Sequence, residues 1–280
     1  MEKKEQILNY IIKAYIELLE PIGSNTLKKM YNISYSSSSM RNYFNKLDKE
    51  GFLIQKHISG GRIPTNNTLK NFWENNIKFN INEINEKKIK KLAKKIGITI
   101  FIKEQTDDIL FRVLNVENKY IILEYYKTNE LPTNNVLTTS NNSYSITIKY
   151  NEIFFNFLNT MIGRSFDNIL DVSIQVGATK LYVELIDFVR KNKLEVINPK
   201  IFLKSAIENK MSDEVINLFI QGDFINNIKE GIYFDDILKE NQIAICHKTT
   251  VNNKKIKMLV IGDINKDYTK LYKGIKNDRI

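Results

Sequence analysis

Apolar side chains recur at helical spacing from the start of the chain. Between Glu5 and Leu19, residues Ile7, Ile11, Ala14 and Leu18 fall on one side with Tyr10 and Tyr15 beside them, the mark of an amphipathic helix. Pro21 is expected to end it. Ser24 reads as the cap of a short helix, Asn25 to Met30, and Tyr31-Asn32 as a turn. A longer helix then opens on Ser36, Ser37, Ser38 and Ser39, whose hydroxyls suit the unpaired amides of a first turn. Met40, Phe44 and Leu47 form its apolar face, and Ser38, Asn42, Asn45 and Lys49 fall opposite, flanked by Arg41 and Lys46. Gly51 is placed to end this helix in the left-handed conformation. Phe52-Leu53-Ile54 reads as a strand, Ser59-Gly60-Gly61 as a turn and Arg62-Ile63 as the returning strand, stopped by Pro64. Lys56 and Arg62 put one basic residue on each arm of this hairpin. Helix, short helix, turn, longer helix and hairpin is the order of a winged helix-turn-helix.

Thr65 is expected to cap a fourth helix that runs through Phe72 and Trp73 to about Phe79, with Trp73, the sole tryptophan, in core or interdomain packing. Residues 80 to 96 read as a charged amphipathic linker helix with a weak seam of Ile81, Ile84, Ile89, Leu92 and Ile96. Its lysines, at 87, 88, 90, 91, 94 and 95, are taken as a solvated face. From Gly97 the pattern changes. Short β-rich runs occupy Ile98–Ile102, Phe111–Val116, Tyr120–Tyr126 and Ser145–Tyr150, with a polar loop from Asn129 to Ser143. Helices are expected over Glu152–Met161, Ser165–Val172, Ala178–Lys191, Asp213–Ile220 and Asp223–Glu230. Strands return at Gln242–His247 and Lys257–Gly262, before a last helix from about Lys266. The order suits an α+β fold built on a central antiparallel sheet. The chain divides as 1–79, 80–96 and 97–280.

Charge sharpens the N-terminal reading. The net charge is +10. Residues 1–80 carry 12 basic and 7 acidic side chains against 30 and 25 in the remaining 200, so half of the excess lies in the first part. A polyanionic partner would be served by that distribution. Lys, Asn and Ile are enriched together, a pattern that an A+T-rich coding sequence also produces, so the total charge counts for less than its distribution. The single cysteine, Cys246, excludes an internal disulfide and a cysteine-based zinc site, and fits a reducing cytoplasm. The start MEKKEQ lacks the apolar stretch of a signal peptide, and no apolar run approaches a membrane span.

Enzyme chemistry finds no foothold. There is no phosphate-binding glycine loop ending in Lys-Ser/Thr and no dinucleotide fingerprint. The only histidines, His57 and His247, are too few and too isolated for a metal centre. The carboxylate pairs Asp107-Asp108, Asp213-Glu214 and Asp235-Asp236 are adjacent in sequence, which puts them on different helix faces. They read as caps and solvated turns. No cofactor is expected.

Several N-terminal motifs, in order and at fixed spacing, resemble the HrcA family of heat-inducible transcription repressors. They are Ile22-Gly23-Ser24; Ser36-x-x-x-Met40-Arg41-Asn42; Leu47-Asp48-x-x-Gly51-Phe52-Leu53; and Gln55-Lys56-His57-x-Ser59-x-Gly61-Arg62-Ile63-Pro64-Thr65. Tyr43 replaces the acidic residue usual after Arg-Asn, and His57-Ile58-Ser59-Gly60 departs from the family's wing. The resemblance is thinner beyond. Leu158-Asn159, Ile162-Gly163 and Ser165 resemble one short family segment; Ile261-Gly262 with Asp267-Tyr268 resembles another, with Asp263 where a proline is usual.

The resemblance implies a winged helix-turn-helix over 1–79 and a GAF-like α+β domain over 97–280 carrying an inserted dimerisation segment. It implies a cytoplasmic homodimer, not an enzyme, that represses chaperone operons from an inverted-repeat CIRCE operator, with the GroEL chaperonin as modulator. Heat is expected to relieve repression by opening the C-terminal part first. The candidate DNA-facing set is Ser36, Ser37, Ser38, Arg41, Asn42, Asn45, Lys46, Lys49, Lys56, His57, Ser59, Arg62 and Thr65. Within it, Ser38, Asn42 and Asn45 are expected at base edges, and Arg41, Lys49 and Arg62 on phosphates. Two other functions fit the same elements: a winged-helix regulator whose C-terminal domain binds a metabolite, and a DNA-tethered transferase.

Overall fold

A computed structural model describes residues 2–55, 60–78, 83–105, 108–127, 143–192, 194–220, 222, 224–225, 228–234, 241–252 and 254–275. The fold is mixed α and β.

The N-terminal elements are α1 (Glu2–Leu18), α2 (Ser24–Tyr31), α3 (Ser37–Lys49) and the hairpin β1 (Leu53–Ile54) and β2 (Ile63–Pro64). Ile7, Ile11 and Ala14 of α1, Leu27 of α2, Met40, Phe44 and Leu47 of α3, and Leu53 of β1 are all buried in one small core. Each fully buried aliphatic side chain there stabilises the unit by about 1.5–3 kcal/mol. Two details of α1 differ from the sequence reading. Leu18 is 41% exposed rather than part of the seam. The helix stops because Leu19 turns left-handed at φ 56°, its amide still donating to Tyr15 O at 2.8 Å, two residues before Pro21. Likewise Ser24 lies inside α2, and Gly23 takes the cap position without a side-chain bond.

α1 also has a second apolar seam. Ile12 and Ile16 face away from α2 and α3 and join a larger core with α4 (Asn66–Asn76), α5 (Glu86–Ile96) and α11 (Tyr268–Gly274). Residues 80–96 therefore contain more than a solvated connector: Ile84, Ile89 and Ala93 are fully buried. Ile81 and Phe79 lie outside the described residues.

This larger core sits under a five-stranded antiparallel sheet, in the order β7 (Leu194–Ile197), β3 (Thr99–Glu104), β10 (Lys254–Asp263), β9 (Gln242–Val251), β8 (Gly231–Tyr233). Side chains alternate between its faces, as strand geometry demands. Ile100, Ile102, Ile243, Ile245, Met258 and Val260 meet α4, α5 and α11. Phe101, Ala244, Cys246, Leu259 and Ile261 meet α9 (Pro199–Glu208) and α10 (Asp213–Ile220) on the other face. Burial pushes the Cys246 thiol up to about 11, which suits a packing residue.

The expected single sheet is in fact two. Between β3 and β7 the chain builds a separate three-stranded antiparallel sheet from β4 (Ile109–Val116), β5 (Tyr120–Tyr126) and β6 (Ser143–Lys149). It is covered by α6 (Glu152–Thr160), α7 (Phe166–Gln175) and α8 (Thr179–Asn192) around its own core. The strands β7 and β8 and the helix α9 were not expected. The polar loop from Asn129 lies outside the described residues apart from Ser143, as do Asp235-Asp236 and part of the helix expected over Asp223–Glu230.

Candidate nucleic-acid interface

The candidate interface is built on α3. Ser36 caps it, its Oγ accepting from Ser39 N at 3.1 Å. The same Oγ is 2.8 Å from Ser38 Oγ and donates to Ser39 Oγ at 2.9 Å, so the serine run forms a closed hydroxyl cluster at the helix start. Gly51, at φ +78°, turns the chain out of the helix. With Met40, Phe44 and Leu47 buried, the opposite stripe is set outward: Ser36, Ser38, Arg41, Asn42, Asn45, Lys46 and Lys49 are exposed, and Ser37 is half-buried. Lys46 and Lys49 stand in the last turn, where positive charge complements the helix dipole.

The hairpin is fastened to α3 and to the α1–α2 connection. Leu53 pairs with Pro64 and Ile54 with Ile63. Arg62 exchanges two main-chain hydrogen bonds with Ile22, each 2.9 Å. Gly61 passes so close to the backbone of Pro21 and Ile22 that an added Cβ would stand 2.6 Å from Ile22 C. Behind the hairpin, Thr65 caps α4 by accepting from Thr68 N at 3.3 Å and donates to Gly51 O at 3.1 Å. Thr68 donates to Phe52 O at 2.7 Å. Thr65 is thus a half-buried joint between α3, β1 and α4.

Arg62, expected to hold a phosphate, has its side chain turned toward α3. Its side chain is 16% exposed, and its Nε donates to Asp48 Oδ2 at 2.9 Å. Its Nη2 donates to Asn45 Oδ1, also at 2.9 Å. Arg62 therefore cross-links the hairpin to α3. Asp48 was missed as a site residue. The available signal was its position three residues after Asn45, which puts both on the same flank of the helix. Lys4 on α1 adds a 2.6 Å ion pair to Glu50 at the far end of α3. Lys56, His57 and Ser59, the expected hairpin-tip residues, lie outside the described residues.

Elsewhere the structure offers packing rather than chemistry. His247 is fully buried on β9, tilted against Tyr272 with ring centroids 5.5 Å apart. Burial lowers its pKa to about 4, partly offset by a main-chain hydrogen bond at Lys248 and the charge of Glu230. No group of three or more potential metal ligands occurs among the described residues. Among those residues no helix is long and apolar enough to cross a membrane.

A crystal structure described only as a hypothetical protein at 2.2 Å resolution aligns over 98% of this chain and 93% of that one, with a TM-score of 0.51 and 19% identity, a likeness of fold. A heat-inducible transcription repressor HrcA from Helicobacter pylori is 25% identical over 280 residues, covering 99% of this chain and 96% of that protein. One from Protochlamydia amoebophila is 45% identical over 64 residues, 23% of this chain and 17% of that protein. The family model of the HrcA C-terminal domain matches residues 71–279. These matches are to a family of transcription repressors, not of enzymes, and the chain belongs to the HrcA family.

Proposed function

We propose that this protein is a cytoplasmic, sequence-specific repressor that binds an inverted-repeat operator of the CIRCE type in front of chaperone operons and releases it on heating. The observation that carries the reading is the outward stripe of Ser38, Asn42, Asn45 and Lys49 on α3, backed by a core of Met40, Phe44 and Leu47 and braced by the hairpin. Residues 1–79 act as a winged helix-turn-helix. Arg41 and Lys49 meet phosphates, and Asn42 and Asn45 meet base edges.

Residues 97–280 form the effector part, joined through 80–96. Its five-stranded sheet between helical layers serves as the GAF-like body, and the unit between β3 and β7 as the inserted dimerisation segment. Exposed apolar side chains on that unit, with Ile153 76% and Val176 59% exposed, support a self-association surface. Dimerisation doubles the base contacts of a single head on a two-fold site. A GroEL-type chaperonin modulates the pool of active dimer.

A footprint on the protein's own genome, with and without chaperonin at two temperatures, tests the reading. Protection of an inverted repeat that fades on warming and returns with chaperonin is the expected result. Hydrogen exchange separates the heat mechanism from its rival: residues 97–262 should lose protection before residues 33–65. Uniform protection of unrelated DNA, or affinity unchanged across the heat-shock range, would end the proposal.

A further inference from the structure

We infer that Asn45 reads DNA as a hydrogen-bond donor, through its amide nitrogen, because Arg62 takes one lone pair of its oxygen and holds that oxygen toward the hairpin. This rests on α3 being the helix that faces DNA.

The argument is one of donor and acceptor inventory. A guanidinium carries only donors, so the group it meets must be an acceptor. Arg62 Nη2 therefore fixes which end of the Asn45 amide faces the hairpin: Oδ1, at 2.9 Å. The second arm of the fork, Nε on Asp48 Oδ2 at 2.9 Å, keeps the guanidinium from rotating. The main chain of Arg62 is itself held by its two bonds to Ile22, and Gly61 is wedged against Pro21 and Ile22. With Oδ1 committed, Nδ2 and its two hydrogens point away from Arg62. They belong to the exposed stripe that also holds Ser38, Asn42 and Lys49.

An untethered asparagine pairs with adenine in two directions, accepting from N6 and donating to N7. With its oxygen turned to Arg62, Asn45 is set for the donating half of that pair. The base edge that satisfies it presents an acceptor: a purine N7, guanine O6 or thymine O4. Asn42, one turn earlier, carries no such tether among the described residues and keeps both directions of the adenine pair. Arg62 and Asp48 are positioning residues in this scheme, setting what Asn45 can recognise without touching the base.

The test uses the full-length chain. Bound duplexes are selected from a random library, and the position governed by Asn45 is found as the one whose preference disappears in Asn45→Ala. Base analogues are then placed there one at a time. Removing the acceptor, with a 7-deazapurine or a pyrimidine lacking O4, should weaken binding about tenfold. Removing an adenine N6 amino group should change it less than twofold. Asn45→Asp, which keeps the acceptor for Arg62 and abolishes the donor, should lose the preference while unfolding as the parent does. Arg62→Leu, which frees the amide, should move the preference toward adenine. Equal sensitivity to loss of N6 and of N7 in the parent protein would overturn the inference, as would an Asn45→Ala profile identical to the parent's. If the parent selects no sequence at all, the DNA-reading function itself fails and takes the inference with it.

Discussion

The indole nitrogen of Trp73 donates a 2.7 Å hydrogen bond to the main-chain oxygen of Ile264, across 191 residues of sequence. The ring also stands edge-on to Tyr268, with centroids 5.2 Å apart. One buried side chain on α4 thereby fastens the N-terminal elements to the chain leaving β10. Trp73→Phe removes the donor and leaves a void, and should destabilise the protein by about 2 kcal/mol. Urea unfolding followed by circular dichroism measures this. In the parent, emission from the sole tryptophan should shift at the midpoint at which the sheet unfolds; an earlier shift would mean that the two parts separate first.

Gly61→Ala tests the attachment of the hairpin. The new Cβ would meet main-chain atoms of Ile22 and Pro21 at 2.6–2.7 Å, and backbone cannot step aside as a flexible side chain does. Strain of this kind costs about 1–3 kcal/mol. Operator affinity should fall while hydrogen exchange in β9 and β10 stays unchanged. Full affinity in the variant would show that the hairpin is not needed to brace α3.

Lys49→Ala and Asn42→Ala should differ in kind. Loss of one phosphate contact lowers the salt slope by about 0.9 and weakens all sequences alike. Loss of a base contact relaxes sequence preference by about 1–3 kcal/mol and leaves the slope alone. Titrations of operator and random duplexes at several salt concentrations distinguish the two. An equal loss on both duplexes for Asn42→Ala would remove it from the base-reading set.

Acid should destabilise the sheet through His247. Its folded pKa is depressed to about 4 from 6.5 by burial. The unfolded state therefore binds the proton first as pH falls. The stabilising contribution is complete above pH 6.5 and is lost progressively toward pH 4, on the order of 3 kcal/mol in total. Glu230 and the main chain at Lys248 face the ring and act in the opposite sense. His247→Gln should flatten stability between pH 6.5 and 4, measured by denaturant midpoints. A slope identical to the parent's would assign the acid sensitivity elsewhere.

Half-site spacing checks the assembly. Inserting five base pairs between half-sites rotates one by about half a turn, given ~10 bp per turn. Operator affinity should then collapse toward that of a single half-site, and recover with a ten-pair insertion. Ile153→Lys should shift the sedimenting species from dimer to monomer and reproduce the single-site affinity. A monomeric parent would overturn the assembly.

Much of the N-terminal unit was legible because its signals are local. Ser36, Met40, Phe44 and Leu47 declare a capped amphipathic helix within a dozen residues. What escaped was decided at long range. Ile12 and Ile16 looked incidental on α1 because the sheet they pack under is made much later in the chain. β7 and β8, of four and three residues, carry too little alternation to stand out. That β3 pairs with β10 and β7 rather than with the neighbouring β4 follows from partner choice, which hydrophobic period does not encode. The bond of Arg62 to Asn45 was hidden for the same reason. Arg62 reads as a basic residue on a hairpin, and its acceptors Asn45 and Asp48 belong to a different element, α3.

The placement of β3 between β7 and β10 sets a timetable for each molecule at birth. The strand is finished at Glu104, yet its neighbours begin only at Leu194 and Lys254. With synthesis at about 5–20 residues per second, Ile100, Phe101 and Ile102 wait on the order of ten seconds with both edges open. An apolar strand with unpaired edges is what aggregates and what folding helpers bind. Every newly made copy thus passes through a stage in which its future core strand lies open to aggregation.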